Sequence, residues 1–114
     1  MRLVGGAVPS EGRLEVLYNG TWGTVCDDFF STREGSVVCR QLNYIGVLSY
    51  SASLFGDGEG PIWLDNVDCS GSEDSILDCH HNGFGVHNCR HMEDIGIICG
   101  GCHKYTFIGR KLTL

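Results

Sequence analysis

The run CSGSEDSILDCHHNGFGVHNCRHMEDIGIIC, residues 69–99, sets Cys69, Cys79, Cys89 and Cys99 ten residues apart. Cys26 and Cys39 precede it and Cys102 follows, so a chain of 114 residues carries 7 cysteines. That density is foreign to cytosolic domains and typical of small secreted ones, where disulfides persist. A single domain of this length buries a modest core and gains from covalent help. Each bridge contributes about 2–4 kcal/mol, mainly by restricting the unfolded chain. The odd count leaves at least one thiol free or joined to another chain, and spacing alone leaves the connectivity open. Zinc is the competing reading. Cys99 and Cys102 form the one CxxC, with His103 beside it, but no second pair completes a tetrahedral site.

Charge narrows the partners. Residues 1–100 hold all 14 acids and five arginines, a formal −9, while Lys104, Arg110 and Lys111 give residues 101–114 a formal +3. An acidic body lacks the basic face that nucleic-acid binding needs, yet it suits cations and basic partners. No run of 18 apolar residues is present to span a membrane. The start, Met1-Arg2-Leu3-Val4, opens no apolar leader segment. A disulfide protein with such a start is expected to be a domain excised from a longer chain.

Outward from the cysteines, Arg13–Tyr18 alternates polar and apolar residues, the period of a half-buried strand. Asn19-Gly20 is the preferred pair for a type I′ hairpin turn, and Thr21–Cys26 reads as the returning strand. Ser31–Leu42 reads as a helix. Ser31 and Glu34 have capping-box spacing, and Val37, Val38, Cys39 and Leu42 supply an apolar side. Gly35 costs that helix about 1 kcal/mol relative to alanine. Ala52–Phe55 leads into a glycine-rich loop, Gly56–Pro61, and Ile62–Leu64 with Val67 suggests another strand. Ser72 is placed to cap a brief helix through Asp78, with Glu73 and Asp74 suiting its N-terminus. His80–Asn88 is a glycine- and histidine-rich loop, and Ile95–Cys99 a final buried strand. Residues 101–114 read as a linker or tail, partly disordered.

Together these pieces resemble the scavenger receptor cysteine-rich domain. The matching stretches are Arg2-Leu3-Val4-Gly5-Gly6, Glu11-Gly12-Arg13-Leu14-Glu15-Val16 and Trp22-Gly23-Thr24-Val25-Cys26-Asp27-Asp28. They continue through Val37-Val38-Cys39-Arg40-Gln41-Leu42, the run from Phe55 to Asp65, and His91-Met92-Glu93-Asp94-Ile95-Gly96. The resemblance covers residues 2–99. It implies an α+β domain, a curved antiparallel β-sheet cradling one α-helix with long loops, over residues 1–100. It also implies the bridges Cys26–Cys89, Cys39–Cys99 and Cys69–Cys79. The extra cysteine pair of the family's second group would fall near Ser10 and at Tyr44. Its absence places the chain with the six-cysteine group A and makes Cys102 the odd cysteine, free or intermolecular.

The resemblance implies a divalent-cation site, Ca²⁺ or Mg²⁺, at Asp27, Asp28 and Glu93, and carboxylate oxygens are what such hard cations take. A second cation site in some relatives maps to Ser31, Glu34 and Asn88, with one acid missing, and helix capping already accounts for Ser31 and Glu34. Asn19-Gly20-Thr21 is an N-glycosylation sequon on the hairpin turn. His80, His81, His87 and His91 invite a metal or catalytic reading, but no nucleophile elbow or triad order accompanies them. Trp22 and Trp63 are expected in the core. Phe84, flanked by Gly83 and Gly85, is the expected exposed ligand contact.

The resulting expectation is extracellular ligand recognition without catalysis. Related domains occur in scavenger and innate-immune receptors, which implies cation-assisted binding of microbial surface polymers, modified lipoproteins or protein ligands. The five scattered arginines of the body disfavour an arginine cluster for polyanions. One alternative is a non-catalytic accessory domain of an extracellular enzyme of the serine protease or lysyl oxidase type. Another is an adhesion or oligomerisation module that dimerises through Cys102.

Overall fold

A computed structural model describes residues 1–101. Residues 102–114, and with them Cys102, His103 and most of the expected tail, lie outside the described residues.

Six strands and one helix follow the chain: β1 (Arg2–Gly5), β2 (Glu11–Tyr18), β3 (Thr21–Val25), α1 (Thr32–Gln41), β4 (Gly46–Ala52), β5 (Ile62–Leu64) and β6 (Ile95–Gly100). They form one sheet in the order β4-β6-β2-β3-β5, with β1 also paired to β2. All pairings are antiparallel except β3 with β5, which is parallel. The β2–β3 hairpin turns at Asn19 and Gly20, whose φ of 53° and 78° are the left-handed pair that a type I′ turn needs.

Helix α1 is set by local chemistry and then consumed by tertiary packing. Ser31 caps it, and Glu34 Oε1 accepts from the Ser31 backbone N–H at 2.7 Å. Glu34 Oε2 meanwhile accepts from the Cys69 N–H at 2.8 Å, so this carboxylate, 1% exposed, is filled from both sides. It therefore ties the helix start to the Cys69–Cys79 loop. At the other end Arg40 donates to the carbonyls of Gly71 and Glu73, and Gln41 accepts from the Ile76 N–H. The inward face, Val37, Val38 and Cys39, joins Leu14, Val16, Val25, Leu64, Val67, Ile76, Ile95 and Ile97 in the main core.

Three bridges close the structure: Cys26–Cys89, Cys39–Cys99 and Cys69–Cys79. The last two lie in the main core, whereas Cys26–Cys89 packs with Ile62 in a separate cluster. That pairing is the one the resemblance implies.

Some elements differ from the sequence reading. β4 was masked by a register shift between Val47 and Ser49, which breaks the period-2 pattern around the exposed Leu48. The helix expected from Ser72 is a single 3-10 turn, Ile76–Asp78, capped by Ser75. Glu73 folds back instead, accepting from the Ser70 and Gly71 N–H groups and the Ser70 hydroxyl. Those bonds, led by the Ser70 amide, hold its carboxyl down at about 2. Trp63 and Trp22 are half-buried rather than central. Trp63 donates its indole N–H to the Thr21 carbonyl, and Trp22 lies under the Arg2 guanidinium at 4.0 Å.

Gly35 sits where α1 meets β4. A Cβ there would lie 2.9 Å from Val47 Cγ2 and 3.2 Å from Val47 Cβ. Helix propensity alone favours alanine by about 1 kcal/mol. Overpacking a stiff β-branched neighbour costs about 1–3 kcal/mol. Gly35→Ala is therefore expected to lower stability, read as an earlier midpoint in urea unfolding. A later midpoint would mean that helix and sheet have room to separate.

Candidate functional site

The Cys26–Cys89 bridge joins the end of β3 to the segment before β6. The Asp27 N–H donates to the Glu93 carbonyl at 2.9 Å, and Cys26 forms an isolated bridge with Asp94. A tight turn follows, closed by the Phe30 N–H on the Asp27 carbonyl. Asp27, Asp28 and Glu93 are thereby gathered on one side of the bridge. One carboxylate oxygen from each lies within 4.8 Å of the others and of Cys26 Sγ. Asp28 also groups within that limit with Asp65 and the two bridge sulfurs.

Asp65 is the acid the sequence reading missed. It follows β5, is 1% exposed, and receives the Asn66 N–H at 2.8 Å. Asn88 spans the acids. With its amide nitrogen turned toward them it donates to Asp28 Oδ2 and Asp65 Oδ2, at 3.2 Å each. Asn88 therefore belongs to the first cluster. The second site proposed by resemblance, Glu34 with Asn88, is not what the structure holds. Glu34 is buried and fully used by Ser31 and Cys69, and Asn88 faces Asp28 and Asp65.

No lysine, arginine or histidine forms an ion pair with Asp27, Asp28, Asp65 or Glu93 among the described residues. The consequence falls on Asp27 and Asp28. Burial and the charges of Glu93 and Asp65 raise the Asp27 carboxyl above its ordinary value. Burial, then Asp65, Glu93 and Asp27, raise Asp28. Like charges held together disfavour their own ionisation, and a bound cation removes that cost. The donor set suits a hard ion: carboxylate and amide oxygens, with sulfurs that are oxidised and offer no thiolate.

Three of the arginines are engaged elsewhere. Arg2 and Arg13 pair with the buried Glu15 at 2.8 and 3.0 Å, and Arg40 serves the 71–73 loop. Phe84 is not the exposed contact expected. Its ring is half-buried and stacks on Tyr18 at 3.7 Å, with Trp63 and His81 edge-on. A phenylalanine between two glycines leaves its partner unstated in the sequence. Phe29 by contrast is 78% accessible, held at φ 63° at the third position of the Asp27–Phe30 turn. A bulky residue in that region costs about 1–3 kcal/mol. Asn19 stands exposed on its hairpin. Two histidines stabilise their own loop: His81 Nδ1 accepts from Gly83 N–H and His87 Nδ1 from Cys89 N–H.

His91 braces the acids from behind. Nδ1 lies 2.9 Å from Asp94 Oδ2 and Nε2 lies 2.9 Å from the Gly60 carbonyl. Both partners are acceptors, and only the imidazolium carries a proton on each nitrogen. Asp94 Oδ2 also receives the Gly58 N–H at 2.8 Å, so His91 and Asp94 pin the glycine-rich loop.

A small α+β domain stapled by three disulfides is the architecture of an extracellular module. The scavenger receptor cysteine-rich domain model matches residues 4–100, and the chain belongs to that family. It is 56% identical over 101 residues to lysyl oxidase homolog 4 of Bos taurus, covering 87% of this chain and 13% of that protein. It is 60% identical over 90 residues to lysyl oxidase homolog 2A of Danio rerio, covering 78% of this chain and 12% of that protein. The chain thus spans about an eighth of the length of these curated relatives. Among solved structures, the third such domain of murine neurotrypsin superposes with a TM-score of 0.79 at 49% identity, covering 86% of this chain and 92% of that one. The dimeric form of the domain of mouse MARCO gives 0.74 at 46%, covering 88% and 94%.

His91 supplies a pH test. Burial pulls its pKa down, but the hydrogen bonds to Asp94 and Gly60, with the charges of Asp94 and Asp57, outweigh it and leave the pKa raised. The folded state then binds the proton more tightly than the unfolded chain. The stabilisation is complete below about pH 6.5, the unfolded value. It is lost as pH rises through the higher folded value. Thermal midpoints are expected to fall across that interval in the parent and to stay flatter in His91→Gln. Parallel profiles would show that His91 is neutral throughout.

Proposed function

We propose that this domain is a divalent-cation-assisted recognition module, carried as a non-catalytic part of an extracellular protein of the lysyl oxidase type. The observation that carries the cation reading is the set Asp27, Asp28 and Glu93, backed by Asp65 and Asn88, held over Cys26–Cys89 without a basic partner among the described residues. Asp27, Asp28 and Glu93 supply the ligand oxygens, and Asn88 orients Asp28 against Asp65. When bound, the ion offers a positive centre on an acidic surface, open to an anionic or carbonyl group of an extracellular protein or polymer. The same acids, left bare, favour a basic partner. The lysyl oxidase setting rests on the sequence relationship, and the cluster itself adds nothing to it. The arginine-cluster mode for polyanions fits poorly, since Arg2, Arg13 and Arg40 serve structural roles.

Calcium or terbium titration, followed by heat-scattering or emission, compares the parent with Asp28→Ala. The parent is expected to gain thermal stability with added ion, by about 2.7 kcal/mol at a hundredfold excess over Kd. Asp28→Ala is expected to bind at least about tenfold more weakly, a loss of roughly 1.4 kcal/mol. Equal affinity in the two proteins would remove the site. EDTA is expected to abolish capture of any extracellular ligand that uses it, and capture at full strength in EDTA would reject the mechanism.

A further inference from the structure

We propose that the cleft beside the Asp27–Phe30 turn binds a neutral pyranose ring, with Phe29 as its stacking platform. The cleft has a volume of about 320 Å³ and is lined by Phe29, Arg33, Asn66, Asp68, His80 and Asn82. That volume lies at the small end of the roughly 300–1,000 Å³ range of small-molecule sites.

Three observations point to a sugar. The first is Phe29. It is 78% exposed at a left-handed φ of 63°, a turn position where glycine or asparagine would sit without strain. A strained, solvent-facing aromatic ring is poorly explained by folding and well explained by a partner that packs on it. The second is the wall around it. The side chains of Arg33, Asn66, Asp68, His80 and Asn82 form no hydrogen bond or ion pair among the described residues. Arg33, Asp68, His80 and Asn82 are exposed and Asn66 is half-buried, so these groups are open to a ligand. Here a guanidinium, a carboxylate, an imidazole and two amides stand unspent around one cavity, offering both donors and acceptors.

The third is charge. Arg33 and Asp68 oppose each other in sign and do not pair. An anion meets Asp68 and the neighbouring acids of the turn, and a cation meets Arg33. A hydroxyl-rich neutral ring satisfies both, since each hydroxyl donates and accepts. Its C–H face packs on an aromatic ring, and its hydroxyl edge meets the planar forks of arginine, asparagine and aspartate. A peptide fits less well, because Phe29 is the one large apolar wall.

This inference does not depend on the cation site, and the test keeps the two apart. The full chain, labelled with ¹⁵N, is titrated in EDTA with methyl glycosides of glucose, galactose, mannose and N-acetylglucosamine. Methyl glucuronide and methyl glucosaminide serve as charged probes. Shift changes are expected at Phe29, Arg33, Asn66, Asp68, His80 and Asn82 with at least one neutral sugar, and more weakly with either charged one. Phe29→Gly relieves the backbone strain and should fold at least as well as the parent, while losing affinity about tenfold. Asn82→Ala, a second exposed change, is expected to weaken the same sugar. A desialylated glycopeptide and a neutral glucan then distinguish a glycoprotein source from a polysaccharide source. No shift at millimolar sugar, shifts centred elsewhere, preference for a charged probe, or unchanged affinity in both variants would overturn the proposal.

Discussion

The Cys26–Cys89 bond is the constraint on which the functional face depends. It lies outside the main core, so its contribution is positional as much as thermodynamic. It joins residues 63 apart in sequence and helps to hold Asp27 and Asp28 beside Glu93. Loop closure over that span contributes to stability by restricting the unfolded chain. Part of that gain offsets the repulsion and burial that raise Asp27 and Asp28. The bridge, packed only on Ile62 outside the main core, thus holds an arrangement of like charges that would not persist without it.

Helix α1 plays the complementary role. Its capping acid, Glu34, reaches past its own first turn to the Cys69 amide, and Arg40 and Gln41 catch the same loop further on. A short helix is marginal by itself. Here it acts as a spine to which a long irregular segment is tied by side-chain hydrogen bonds. The loops therefore keep their shape with little regular structure of their own.

Much of this was legible in the residues. The strand of alternating residues ending at Asn19-Gly20, the capping box at Ser31 and Glu34, and the buried run before Cys99 each carry a local signal, and each appears where that signal put it. The bridges and the acids Asp27, Asp28 and Glu93 came through the family resemblance. What was not legible is tertiary. Leu48 occupies a bulge that scrambles the strand period, so β4 has no clean alternation to read. Asp65 becomes part of the cluster only because β5 pairs in parallel with β3 and delivers it there. Glu34 was read as a local cap, and its second partner lies 35 residues away. Phe84 is covered and Phe29 exposed because stacking on Tyr18 and a strained turn leave no trace in composition.

The two ends of the strand order carry a further meaning. β4 is kinked by its bulge, and β5 is three residues long and follows Pro61. Neither offers a long straight row of free backbone groups to another strand. The curated relatives are several times as long as this chain, and a module tethered beside others in a chain of that kind meets its neighbours at high effective concentration. Blunted margins would let neighbours of that kind sit side by side without zipping into a shared sheet, each keeping its own surface.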